Sequence, residues 1–355
     1  MNFTHDTPAQ RVLFGHGRAG AHLADEVTRL GATRVMVIAT HPHPEVTGTI
    51  PVALHHSDVA PHVPVDVAER ARTVARDNDI DLLVCIGGGS TTGLAKAVAL
   101  TSGLPIVAVP TTYAGSEATD VWGLTESGRK TTGVDRRVLP TSIVYDSALT
   151  IGLPVQLSVA SGLNALAHCV DSMWGPRADP INASTAAAGI RALSAGLPAV
   201  VVDAADRAGR DEMLLGAYLS AAAFASAGSG LHHKICHVLG GAYDLPHAQT
   251  HAVILPHVLA FNAPAAPDAA RMIATALGSE SADDGLARLR ERVDAPTALL
   301  PYGFELSMVP DAVERILPVV PESNPRPVTE SDLTTILTAA CTGDAPIAHP
   351  VEGRR

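Results

Sequence analysis

Six of the chain's 16 histidines fall within residues 232 to 257: His232, His233, His237, His247, His251 and His257. His233 and His237 stand four apart, as do His247 and His251, and residues i and i+4 share one face of a helix. Upstream, the stretch from Ser161 to His168 repeats the spacing with Asn164 and His168. Three helices would thus aim imidazoles into one place. Imidazoles at this density serve as transition-metal ligands or as acid–base groups near neutral pH. His257 follows Pro256 inside the apolar run Ile254–Leu259 and reads instead as a tie between helices.

A second chemical signal lies earlier. The apolar run Leu82–Ile86 ends in Gly87-Gly88-Gly89-Ser90, and a helical pattern follows from Thr92 to Leu100. Glycines let a backbone approach a diphosphate closely, and a helix N-terminus offers free N–H groups and a positive dipole end. Ser90 would add a hydroxyl or cap the helix. The turn is neither G-x-G-x-x-G nor a P-loop, and a strand-to-helix turn without a ligand would look the same. A second polar, glycine-bearing loop, Pro110 to Glu117, follows the strand-like run Pro105–Val109. Ligands of open parallel sheets collect at the carboxyl ends of strands, so two such loops describe a nucleotide crevice. Gly15 and Gly17 either line the same crevice or form an ordinary hairpin turn.

Two kinds of scaffold must hold these groups. Up to residue 153 strand-like runs (Arg34–Ala39, Leu82–Ile86, Pro105–Val109, Ser142–Tyr145) alternate with helical ones such as Val67–Asp79. That order implies a parallel sheet with crossover helices. Beyond Leu153-Pro154 the chain is Ala/Leu-rich and helical. The expected division is 1–153, an α/β Rossmann-like nucleotide domain, and 154–355, an all-α catalytic domain. The tail from Ala348 to Arg355 is expected to fray.

Composition narrows the function. Hydrophobic residues make up 46% and charged residues 17%, with a net charge of −11. That describes a chain with a large core and no basic surface for nucleic acid or an anionic membrane. Met213 to Leu231 carries no charge but is rich in Ala, Ser and Gly, and is expected to be a buried core helix. The 4 cysteines form no C-x-x-C pair and no apolar leader opens the chain, so a reduced, cytoplasmic protein is expected.

The order of motifs carries a resemblance: G-G-G-S, P-T-T-x-x-G-S-E, N-x-x-x-H, H-x-x-x-H-x-L-G, P-H-A and L-P-H. Over roughly residues 10 to 262 the chain resembles the iron-containing alcohol dehydrogenase superfamily, with its dehydroquinate synthase-like architecture. Such proteins pair a Rossmann-like NAD(P) domain with a helical domain and react in the cleft between them. In metal-dependent members one Asp and three His hold Fe²⁺ or Zn²⁺. The matching histidines are His168, His233 and His247, but the Asp position is Asn164, whose amide is neutral and a weak ligand. His237 matches a non-ligand histidine near the nicotinamide.

Asn164, Val121–Glu126, Lys130–Gly133 and Asn324–Val328 look like the maleylacetate reductase branch, which the resemblance implies is metal-independent. It implies NADH or NADPH as hydride donor, a dianionic substrate, a homodimer, and Asn164, His168, His233 and His247 as a vestigial metal set. The coenzyme would be held by Gly87, Gly88, Gly89, Ser90, Thr111, Thr112, Ser116 and Thr119. Thr40 stands where NAD-specific relatives carry a ribose-binding Asp, which opens the site to a 2′-phosphate. The expected catalytic groups are His237, His233, His247, His168 and Lys234. Substrate would meet Lys234, Asn164, Arg326 and His232, with Arg136 and Arg137 as weaker cations. The alternative is a metal-dependent alcohol or aldehyde dehydrogenase of the same superfamily.

Overall fold

The structure is a computed structural model that describes residues 1–126 and 129–347. The expected fraying of Ala348–Arg355 lies outside the described residues. The chain divides into two compact units, Thr7–Leu153 and Pro154–Arg355 joined by Met1–Asp6. The first six residues therefore belong with the helices and not with the α/β half; His5 Nδ1 is 2.8 Å from Asp179 Oδ2.

The α/β unit runs β1 Arg11–Phe14, α1 Ala19–Leu30, β2 Val35–Ile38, α2 Pro44–Thr47, β3 Val52–His56, α3 Val65–Asp77, β4 Leu82–Gly87, α4 Gly89–Ser102 and β5 Ile106–Pro110, then a hairpin of β6 Val121–Glu126 and β7 Arg129–Val134, and β8 Ser142–Tyr145. Six strands form one sheet in the order β1-β8-β5-β4-β2-β3, with every neighbouring pair parallel. Successive side chains of a strand point to opposite faces. Met36, Ile38, Leu83, Cys85 and Ala108 accordingly pack against α3 and α4. Val35, Val37, Leu82, Val84, Val107 and Val109 pack on the other face, against α1. Coverage on both faces is why the central strands read as unbroken apolar runs.

The helical unit contains α5 Val155–Ser172, α6 Pro180–Val202, α7 Arg207–Ala227, α8 Leu231–Tyr243, α9 His247–Asn262, α10 Pro267–Ala276, α11 Ala282–Arg292, α12 Val309–Ile316 and α13 Glu330–Thr342. Its core joins α8, α9, α12 and α13 through Leu239, Ile254, Val258, Phe261, Ile316 and Leu337. The uncharged stretch Met213–Leu231 is not one helix: α7 and α8 meet at a 99° bend over Gly228–Gly230. Among the described residues only α6 by itself is long and apolar enough to cross a membrane, and over half of it is buried within the protein.

α9 contains Pro256, which has no N–H to offer the carbonyl of Ala252 one turn back. Arg290 of α11 supplies the missing donor: its Nη1 donates to that oxygen, and its Nη2 donates to the carbonyl of Pro296 at 2.8 Å.

Candidate active site

Asn164, His168 and Asp171 recur at i, i+4 and i+7 on α5, so they share one face, and all three are buried. α8 is capped at its N-terminus by Gly230, whose N–H donates to Asp171 Oδ2 at 2.8 Å. The first turn of α8 then delivers His232 and His233, and the second delivers His237. α9 starts at His247, just past Pro246, and carries His251 one turn later.

These elements bring six imidazoles together. His168 stacks on His233 with ring centroids 4.8 Å apart and planes within 13°. His233 lies 4.8 Å from His251 and 5.1 Å from His232. His232 Nε2 and His251 Nδ1 share a hydrogen bond of 2.9 Å. His247 approaches His251 at 4.3 Å, and His237 approaches His233 at 6.0 Å. Phe224 of α7 closes one side, 4.8 Å from His168 and 4.2 Å from His233.

The cluster is layered. His168, His232, His233 and His251 are buried, whereas His237 and His247 reach the surface. Burial, assisted by neighbouring imidazoles, pushes His168 and His232 down to about 3 and His233 and His251 well below their usual range. The inner four are therefore neutral at pH 7 and act as hydrogen-bonding groups, not as cations. Asp171 is bonded to His233 Nδ1 at 2.8 Å. Burial pushes its carboxyl up to about 7, while the N–H groups of His233 and Gly230 oppose the rise.

The donor set bears on the metal that the resemblance raises. Asn164 puts a neutral amide, its Oδ1 buried without a partner, where a carboxylate would offset cationic charge. Among the described residues the tightest nitrogen group is a different trio, His232, His233 and His251, with ligand atoms within 4.8 Å of one another. Two of these three are hydrogen-bonded to each other, so a proton lies between them and the facing nitrogens do not both offer a lone pair. Asn164 thus leaves the set without the carboxylate that the superfamily's metal-dependent members use, while His168 Nδ1 and His233 Nε2 are buried without a partner among the described residues.

The other expected site residues divide. Lys234 follows His233 on α8, half-buried, and forms no ion pair among the described residues. Arg326 is not brought to the cluster. Its guanidinium lies 4.5 Å over the ring of Phe261 on α9, ten residues beyond His251, because Asn324 anchors the segment through paired amide bonds to Asn262. His257 also lies apart, in a cavity of about 570 Å³ shared with Arg290 and Asp344. Burial, with Arg290 nearby, pushes it down to about 4. Arg137 is bound to Asp135 at 2.7 Å.

In the α/β unit the expected coenzyme residues sit on three neighbouring strand ends. Thr40 follows β2, Gly87 ends β4 and Gly88 to Ser90 follow it, and Thr111 and Thr112 follow β5, with β2, β4 and β5 adjacent in the sheet. The strand order reverses at β2 and β4, which is the crevice position for a ligand of such a sheet. Gly87 has φ +153°, and a Cβ there would sit 2.5 Å from Thr91 Oγ1. A Cβ on Gly88 would sit 3.0 Å from Thr112 Cγ2, whereas Gly89 has ordinary room. Packing alone thus explains the first two glycines, and Gly89 is the one that a ligand would require.

Ser90 does not cap α4: Gly88 is the N-cap and Ser90 lies inside the helix. Thr119 is also committed elsewhere. Its hydroxyl and carbonyl oxygens accept from Lys96 Nζ at 3.0 and 2.7 Å, and Val121 O accepts at 2.9 Å. Lys96 is fully buried, and burial pushes its ammonium down to about 7. Gly15 and Gly17 do not form a hairpin. They turn β1 into α1, where Asp146 accepts the N–H groups of Gly17 and Ala19 at 2.7 and 2.8 Å.

Sequence patterns assign no role to Asp171, Phe224 or Lys96, and they mark His251 only by its spacing. Asp171 does carry a signal, three residues past His168 on the face shared with Asn164. Phe224 and Lys96 have none, since their partners are remote in sequence.

Comparison with known proteins agrees with this architecture. The family described as "Iron-containing alcohol dehydrogenase" matches residues 9–147, and the description "Fe-containing alcohol dehydrogenase family, C-terminal" matches residues 158–341. The chain is 42% identical over 352 residues to a maleylacetate reductase of Delftia acidovorans, covering 98% of this chain and 99% of the relative. An iron-containing alcohol dehydrogenase structure from Corynebacterium glutamicum is 60% identical, with TM-score 0.96 and 98% of each chain covered. The maleylacetate reductase structure from Agrobacterium tumefaciens is 37% identical, with TM-score 0.91, covering 98% of this chain and 100% of its own.

Proposed function

The chain is a member of the iron-containing alcohol dehydrogenase family, and within that family we propose that it reduces the C=C bond of maleylacetate to 3-oxoadipate with NADH or NADPH. The observation that carries this reading is the 42% identity, over nearly the whole chain, to proteins named maleylacetate reductase. The residues of the site supply the chemistry. The α/β unit holds the coenzyme at the ends of β2, β4 and β5. With Thr40 after β2 and no carboxylate there, a 2′-hydroxyl and a 2′-phosphate are both admitted.

Maleylacetate is a dianion whose C=C is conjugated to a ketone. Hydride from the nicotinamide adds to the alkene carbon beside the terminal carboxylate, the π electrons move onto the ketone oxygen, and an enolate forms. The carbon next to the ketone then takes a proton, so that one NAD(P)H and one proton are consumed per substrate. Stabilisation of the enolate oxygen is the largest demand on the site.

No resident metal is invoked. A neutral imidazole N–H is a competent electrophile, and His237 and His247, at the open side of the cluster, supply that hydrogen bond and the final proton. Lys234 pairs with a substrate carboxylate. His168, His232 and Asn164 form the polar floor. The metal-dependent alcohol dehydrogenase alternative needs a carboxylate that Asn164 does not provide. We further propose that the protein works in the cytoplasm as a homodimer on this small dianion, without nucleic acid or membrane partners.

The test is a steady-state assay of maleylacetate against NADH and NADPH with product analysis. Stoichiometric formation of 3-oxoadipate supports the reading. Coenzyme oxidation by aldehydes but not by maleylacetate overturns it.

A further inference from the structure

The structure assigns Asp171 as the positioning residue that fixes the tautomer of His233, with the proton on Nδ1 and an open lone pair on Nε2. The inference rests on the reading above only for its kinetic consequence; the tautomer itself does not depend on the substrate.

Four observations carry it. Asp171 Oδ2 lies 2.8 Å from His233 Nδ1, and both side chains are almost wholly buried. That same Oδ2 already accepts the Gly230 N–H, so it faces the ring as an acceptor and the Nδ1 opposite it is the protonated nitrogen. The same carboxylate oxygen accepts from Gly230 N–H at 2.8 Å, at the start of the helix that carries His233, which fixes the carboxylate relative to that helix. A Cβ on Gly230 would lie 2.3 Å from Asp171 Oδ1, so the absence of a side chain there is what lets the carboxylate in. His233 Nε2, on the other edge of the ring, is buried and has no hydrogen-bond partner among the described residues.

Carboxylate–histidine pairs elsewhere fix ring orientation and tautomer in this way. Here the pairing divides the labour of the cluster. His233 is an acceptor, so it does not donate to the enolate oxygen, and the donor must be another imidazole, for which His237 on the same helix is placed. His233 Nε2 instead accepts a hydrogen bond from the water that carries the proton, because the dianion has no N–H or O–H to give.

The test uses full-length protein labelled with ¹⁵N-histidine, read by long-range ¹H–¹⁵N correlation, with His233→Gln to identify the signal. The expected result is a pyrrole-type Nδ1 and a pyridine-type Nε2 for His233 in the unmodified protein, without coenzyme or substrate. In Asp171→Asn the pattern loses that single assignment. Turnover falls about 10²-fold or more, while NADH affinity measured by fluorescence stays within twofold, about 0.4 kcal/mol. A protonated Nε2 in the unmodified protein overturns the assignment, as does full turnover in Asp171→Asn. Should Asp171→Asn fail to fold, the spectrum of the unmodified protein still decides. Should the protein not reduce maleylacetate at all, the spectrum again decides independently.

Discussion

Gly230 and Asp171 are in contact through the space that a side chain would fill: a Cβ on Gly230 would lie 2.3 Å from Asp171 Oδ1. Gly230 has φ −90°, a conformation open to any residue, so its requirement for glycine is steric and not conformational. Gly230→Ala is predicted to displace the carboxylate and lose about 1–3 kcal/mol of stability, the usual cost of overpacking. Urea unfolding of the variant measures it. A variant as stable as the parent, with unchanged turnover, would show that the contact relaxes freely.

Arg290 and Pro256 form a compensated pair. Arg290→Met leaves the carbonyls of Ala252 and Pro296 without their donor and is predicted to cost about 1–3 kcal/mol. Pro256→Ala returns an N–H to the helix. In that background the cost of Arg290→Met should fall by about 1 kcal/mol, and a double-mutant cycle reads the coupling. Strict additivity would refute the pairing.

Lys96 predicts a pH signature. Its ordinary pKa is 10.5, and burial lowers it to about 7 in the folded protein. Between those values the unfolded chain binds more protons than the folded one, so stability gains from rising pH across that window. Below about pH 7 both states are protonated and the contribution is flat. The stability difference between the parent and Lys96→Met should therefore grow in the parent's favour from pH 7 toward pH 10, by denaturant titration at each pH. A pH-independent difference would mean that the three oxygens around Nζ hold the ammonium charged.

Asn164→Asp restores the carboxylate that the family's metal-dependent members use. The variant is predicted to acquire Fe or Zn in elemental analysis when the parent, prepared alongside, does not, and to show a raised KM for maleylacetate through charge repulsion. Equal metal content in the two proteins would undercut the role given to Asn164.

Much of the site is legible in the sequence for a physical reason. Helical spacing is local, so the i and i+4 histidines of α8 and α9 and the pair Asn164 and His168 fall on shared faces by spacing alone. Strands buried on both faces announce themselves as apolar runs, whereas the edge strands Arg11–Phe14 and Val52–His56 do not, being short and partly exposed. Partners distant along the chain leave no such trace. Asp171 and His233 are 62 residues apart. Arg326 reads as a free cation until Phe261 is found beneath it. Thr119 reads as a ligand-binding hydroxyl until Lys96 is found bonded to it.

The most direct test is the rate of NADH and NADPH oxidation by maleylacetate, with purified protein measured before and after exhaustive chelation. The account predicts turnover with both coenzymes, one 3-oxoadipate formed per coenzyme oxidised, and rates unchanged by chelator. Turnover abolished by chelation and restored by added Fe²⁺ or Zn²⁺, or no reduction of the C=C bond, would contradict it.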